Sequence, residues 1–294
     1  MAFIFFISLG FFIRKITGIN SSLLKNLLFY FLLPIMIFYQ LVSCPIKSII
    51  NYRFSFAYLL CFFLIFLASF FTFHKKKVGT LIVYTLNSGY VNSAFIGIPL
   101  LFFILNDSIA AILANLIQVI LIMLPCIILL ESIHENKKAS LLKILLKTII
   151  SPIIFIPLLA IFLNFCQITF PQPYIFKLIA QATPYISLMY FGMSLELNSL
   201  KSIIRNPEVW KSVLLKNLIH PIFAYFVGNF LLSLPDYWLK SLIILSCCPT
   251  AQIVYLVSSK VKVSETHTKN VILLSSVVFL ITLGLYIVIN RLIL

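Results

Sequence analysis

A chain of 294 residues would ordinarily make one or two soluble domains, but the composition excludes that: 62% of residues are hydrophobic, 10% are charged, and the mean hydropathy is +1.12. A soluble domain is roughly 45–50% apolar and about 25% charged, so too few polar side chains are present here to cover a wetted surface. Lys and Arg number 22 against 7 Asp and Glu, a net charge of +15. A soluble chain with that balance would suggest nucleic acid. No polar basic domain exists to carry such binding, so a lipid bilayer is the expected partner and the basic residues are topology signals.

A membrane-spanning helix needs about 20 mostly apolar residues. Ten candidate segments follow in order, near 1–13, 22–43, 53–73, 79–104, 108–130, 145–164, 174–195, 211–233, 237–259 and 269–290. The first apolar run stops at Arg14-Lys15, which allows roughly 20 Å at 1.5 Å per residue against a core of about 30 Å. No basic residue precedes that run and no small-x-small site follows it, so it is not read as a signal peptide. A late start site or a shortened first helix fits better.

The basic residues sort by loop. Seventeen fall after the odd-numbered segments, including Lys75, Lys76, Lys77, Lys137 and Lys138, and five fall on the other side: Lys47, Arg53, Lys177, Lys240 and Arg291. The positive-inside rule then makes the odd loops cytoplasmic and puts both termini outside. The most polar internal stretch, 131–144, is the expected cytoplasmic linker between a first half, 1–130, and a second half, 145–294. Five segments per half start the two halves from opposite sides of the membrane, as in inverted repeats of secondary transporters. The expected fold class is therefore an all-α integral membrane protein of the cytoplasmic membrane.

Glycine is scarce, eight in the chain, and two of the eight fall in segment four. There Gly89 and Gly97, with Pro99, are expected to interrupt the span, and Asn87, Ser88, Asn92 and Ser93 gather beside them. A kinked helix packed on its neighbours is the plain alternative, but several polar groups near a bilayer midplane are costly unless used. Segment nine repeats the device at Cys248-Pro249-Thr250-Ala251-Gln252. Interruptions at matching positions of two halves are a pointer to a transport site: half-helix N-termini suit an anion, and unwound carbonyls can hold a cation. Asn87, Ser88, Asn92, Ser93, Gly97, Pro99, Pro249, Thr250 and Gln252 are the candidate substrate- or ion-binding residues.

The run Asn92-Ser93-Ala94-Phe95-Ile96-Gly97-Ile98-Pro99 resembles the helix-four signature of the auxin efflux carrier family, which includes bacterial malate and malonate permeases. Cys248-Pro249-Thr250-Ala251 and the stretch from Ser258 to Leu283 resemble that family's C-terminal pair. Weaker echoes lie at Leu33–Phe38 and Phe191–Leu195. The resemblance implies ten helices as two inverted five-helix repeats, with broken helices four and nine crossing. It also implies elevator-like carriage of organic carboxylates, often by a homodimer, in an architecture shared more distantly with bile acid–sodium symporters. The chain departs from the pattern after Gln252, where apolar Ile253 stands in place of an amide.

All seven acids, Asp107, Glu131, Glu135, Glu196, Glu208, Asp236 and Glu265, fall at segment ends or in loops, so none is an obvious buried proton carrier. Lys216 and His220 lie one turn apart in segment eight. Lys216 is expected to snorkel to the cytoplasmic surface, with charge compensation for an anionic substrate as the alternative. His220 reads as a structural imidazole, with a proton role as the alternative. Cys247 and Cys248 read as small packing residues, and no disulfide framework is implied. No cofactor is called for beyond a coupling sodium ion or proton. An enzyme is not expected, since H-E-x-x-H and G-x-S-x-G are absent from the sequence; a membrane sensor or scaffold is the remaining alternative to a carrier of small organic anions.

Overall fold

A computed structural model describes residues 2–19, 21–44, 51–133, 146, 149–168, 173–195 and 203–293. The expected linker from His134 onward, with Asn136, Lys137 and Lys138, lies outside the described residues. The principal helices are α1 (Ala2–Thr17), α2 (Ser22–Val42), α3 (Tyr52–Phe73), α4 (Val78–Gly89), α5 (Ser93–Leu105), α6 (Ile109–Leu130), α7 (Pro152–Phe165), α8 (Tyr174–Ser194), α9 (Pro207–Leu231), α10 (Asp236–Cys247), α11 (Gln252–Lys260) and α12 (Glu265–Ile293). Five of these stretches are clearly long and apolar enough to cross a bilayer: α2, α3, α6, α9 and Glu265–Gly284 of α12. Large apolar side chains are exposed on helix exteriors, Phe12, Phe31, Phe63, Phe71, Phe162 and Phe230 among them. Such a surface suits lipid and not water.

Proline explains most irregularities inside the helices. Wide turns with i→i+5 bonding occupy Leu28–Leu32, Ser93–Gly97, Gln118–Met123 and Leu215–Ile219. Each ends two residues before a proline, namely Pro34, Pro99, Pro125 and Pro221. Proline lacks an N–H and its ring presses on the carbonyl one turn earlier. Widening that turn relieves the clash without ending the helix. A fifth wide turn, Phe226–Leu231, closes α9 without a proline, and nothing in the structure explains it.

The chain divides into two compact units, and each draws on both halves of the sequence. Unit 1 comprises Met1–Tyr52, Ser93–Leu116 and Ala139–Leu195; unit 2 comprises Arg53–Asn92, Ile117–Lys138 and Glu196–Leu294. In unit 1, α1 lies against α8 at backbone distance. A Cβ on Gly10 would meet the Met189 carbonyl oxygen at 1.9 Å, and one on Gly192 would meet that of Ile7 at 1.9 Å. Small residues let helices approach this closely where no hydrophobic effect drives them together. The Asn164 amide donates to Leu41 O at 3.1 Å, tying α7 to the end of α2. The apolar run stops at Arg14-Lys15 and the helix α1 itself continues to Thr17, with Arg14 Nη1 donating to Met193 O at 2.6 Å. That carbonyl belongs to the last turn of α8, the negative end of its dipole.

Unit 2 is built around α9. Its buried Val209 and Val213 pack with Val271 and Leu274 of α12, and Trp210 covers them. At one end the Lys76 ammonium pairs with the Glu208 carboxylate, and Tyr84 OH donates to the same carboxylate at 3.1 Å. The Tyr84 ring stacks on His267 at 3.8 Å between centroids, and His267 Nε2 lies 3.1 Å from Ser212 Oγ. Side chains of α4, α9 and α12 and the loop after α3 are thereby fastened together.

Candidate functional site

The two interruptions expected from sequence meet inside unit 2. After Gly89 the chain leaves α4 in extended form through Tyr90, Val91 and Asn92, and after Cys247 it leaves α10 through Cys248 to Ala251. Val91 and Thr250 form an antiparallel bridge. Asn92 N–H donates to Pro249 O at 2.9 Å, and Ala251 N–H donates to Tyr90 O at 3.3 Å. Breaking a helix exposes N–H and C=O groups that an apolar surrounding cannot satisfy; here each break satisfies part of the other.

Side chains supply further bonds. Thr250 Oγ1 donates to Asn87 O at 2.6 Å, and Thr250 N–H donates to Ser275 Oγ at 3.2 Å. Asn87 Nδ2 donates to Thr268 Oγ1 at 3.0 Å. Gln118 Nε2 donates to Val91 O at 3.0 Å, while its Oε1 accepts from Tyr58 OH at 2.8 Å. Among the described residues, the buried amide oxygens Asn87 Oδ1 and Asn217 Oδ1 have no partner.

The carbonyl end of α10 is satisfied group by group. A helix leaves its last four C=O groups without intrahelical partners. Ile244 O accepts from Cys248 Sγ at 3.5 Å, Leu245 O from Cys248 N at 3.0 Å, Ser246 O from Lys216 Nζ at 2.9 Å and Cys247 O from Asn217 Nδ2 at 3.3 Å. Asn217 Nδ2 also reaches Ser275 O at 3.3 Å. Lys216 Nζ lies 3.2 Å from His220 Nδ1. An ammonium has only donors, so when Lys216 is protonated Nδ1 of His220 must accept, and its ring proton resides on Nε2.

These contacts correct two positions expected from sequence. Lys216 does not snorkel: it is 0% exposed, held between His220 and the end of α10. Gly97 and Pro99 do not form the interruption. Gly97 has helical angles of φ −60° and ψ −50°, and both residues sit within α5, past the break at Tyr90–Asn92, because the wide turn accommodates the proline. The remaining candidates divide. Asn87, Asn92, Pro249 and Thr250 are at the junction itself. Ser88 is spent on its own helix, donating to Tyr84 O at 2.9 Å. Ser93, in unit 1, donates to Asn115 Oδ1 at 3.1 Å. Gln252 opens α11.

Sequence reading missed Gln118, Asn217, Ser275, Thr268 and Tyr58. A signal existed for Asn217: Lys216-Asn217 and His220 are three polar residues within five positions of an apolar helix. Nothing comparable marks Ser275 or Thr268, whose hydroxyls become informative only once α12 is seen beside the junction.

An apolar-surfaced helical protein whose two interrupted helices join backbone to backbone is a multi-pass membrane protein with the build of a transporter. A family model described as Membrane transport protein matches residues 1–287, and the chain belongs to this family, that of the auxin efflux carriers. Among curated proteins no match was found.

Proposed function

We propose that the chain is a secondary carrier of small organic anions, carboxylates by preference, in the cytoplasmic membrane. The observation that carries this reading is the bridge between Val91 and Thr250, which joins two helix interruptions lying at the fourth position of each five-segment half. An isolated structural kink would not need a counterpart in the other half, still less one bonded to it. The ten segments then read as two inverted five-helix repeats, with the junction near the bilayer midplane and both termini outside. Asn92, Thr250 and Gln252 would contact the substrate, because amides and hydroxyls can donate to a carboxylate.

The partition into two compact units supports an elevator-like mechanism in which unit 2 would carry the junction across the membrane. The first experiment is uptake by proteoliposomes of labelled mono- and dicarboxylates, with and without imposed sodium and pH gradients. Accumulation of at least one carboxylate above empty liposomes is the expected result. Failure across the panel, with correctly folded protein, would refute the assignment and favour a sensor or scaffold. In the same assay His220→Gln is expected to keep part of the activity; a rate driven steeply by the proton gradient and eliminated in that variant would make the histidine the proton carrier.

A further inference from the structure

Lys216 is the one charged side chain buried to 0% exposure among the described residues, and the carrier reading does not by itself use it. Among the described residues its polar contacts are to electron-rich atoms, Ser246 O at 2.9 Å and His220 Nδ1 at 3.2 Å. Neither is a carboxylate. Among the described residues, the ion pairs of unit 2 lie elsewhere, at Lys76–Glu208 and Lys240–Asp236. A buried ammonium without a counter-anion is costly, and within a membrane segment such a residue marks function. What offsets it here is the negative end of the α10 dipole, equivalent to about half a charge, directed at Nζ through Ser246 O.

That surrounding selects for a cation and against an anion. An incoming carboxylate would meet the α10 carbonyls and the imidazole lone pair, both of which repel it. An alkali ion would meet the oxygen that a broken helix ordinarily leaves free at this end. The adjacent carbonyl, Cys247 O, is held by the neutral donor Asn217 Nδ2, which leaves Lys216 Nζ as the ionisable donor tethered at the end of α10.

We propose that Lys216 is a resident cation: its ammonium holds the place at the C-terminal end of α10 that a bound alkali ion would take, so that transport by this chain needs no sodium. The last clause rests on the carrier reading; the occupancy of the place does not, and its test needs no substrate.

The test is thermal unfolding of the purified, detergent-solubilised protein at constant ionic strength in sodium, potassium or choline chloride. Wild-type protein is expected to unfold at the same temperature in all three. Lys216→Ala empties the place and should unfold earlier in choline, then recover by about 3 °C or more in roughly 100 mM sodium or methylammonium, through linkage of binding to folding. Should that variant fail to fold, Lys216→Ser, whose hydroxyl can join a cation's ligands, is measured in the same way. A wild-type midpoint that climbs in sodium relative to choline would overturn the proposal, and so would a folded Lys216 variant indifferent to every cation. Wild-type proteoliposomes should take up carboxylate equally in sodium and choline; a strict sodium requirement would also overturn it. If no carboxylate is carried at all, the transport reading fails while the unfolding result still decides the cation place.

Discussion

Replacing Thr250 by Val tests whether the junction between the two interrupted helices is held by its side chains. Val keeps the branched Cβ and fills nearly the same volume, so the backbone bridge to Val91 has no steric reason to move. What is lost is the 2.6 Å bond from Oγ1 to Asn87 O. Asn87 already carries one buried oxygen without a partner, and the change would deprive its carbonyl of this donor as well. Removing one partner of a buried hydrogen bond costs about 1–3 kcal/mol, while hydrogen bonds between membrane helices average about 0.6 kcal/mol with a maximum near 1.7. A loss of about 1–2 kcal/mol is therefore expected, which lowers an unfolding midpoint by roughly 2–8 °C at about 2–4 °C per kcal/mol. Thr250→Ser retains the hydroxyl and should recover more than half of the loss. The assay is thermal unfolding in detergent, paired with carboxylate uptake, where distortion of the junction by the same energy would slow transport by about five- to thirtyfold. A Val variant that unfolds with the wild type and transports at the wild-type rate would refute the reasoning.

Gly192→Val should greatly reduce the yield of monodisperse protein on size exclusion, because its Cβ would stand 1.9 Å from Ile7 O; Gly284→Ala, with no atom within 4 Å of its Cβ, should not. Asn92→Ala is expected to abolish carboxylate uptake while expression stays near normal, and retained uptake at wild-type affinity would argue decisively against the junction as the substrate site. Cysteine labelling at Asn136 should report a cytoplasmic loop; external labelling would overturn both the orientation and the inverted-repeat reading.

Much of the fold was legible because a bilayer imposes simple rules. Each of the helices α1 to α12 overlaps an expected apolar segment, since a bilayer accepts long apolar stretches whose backbone bonds close within a helix. The interruption after Gly89 was legible from glycine and clustered amides, and that at Pro249 from proline. Where reading failed, a local signal was answered by a distant partner. Pro99 looked like a break, yet a wider preceding turn absorbs it. Lys216 looked like a residue reaching for the surface, yet Ser246 O, thirty positions away, holds it inside.

The sequence by itself determined that this is a helical membrane protein, where its apolar segments run, which two of them are interrupted and which family's motifs it carries. These properties depend on composition and on near neighbours in the chain. Only the tertiary structure decided that the two interruptions bond to each other, that Gln118, Asn217, Ser275 and Thr268 complete the junction, and that a lysine closes the end of α10. The physical reason is that a broken helix leaves donors and acceptors unsatisfied, and which groups answer them depends on the atoms brought near by folding, at separations of 25 to 181 residues for the bonds to Thr250 and Asn87.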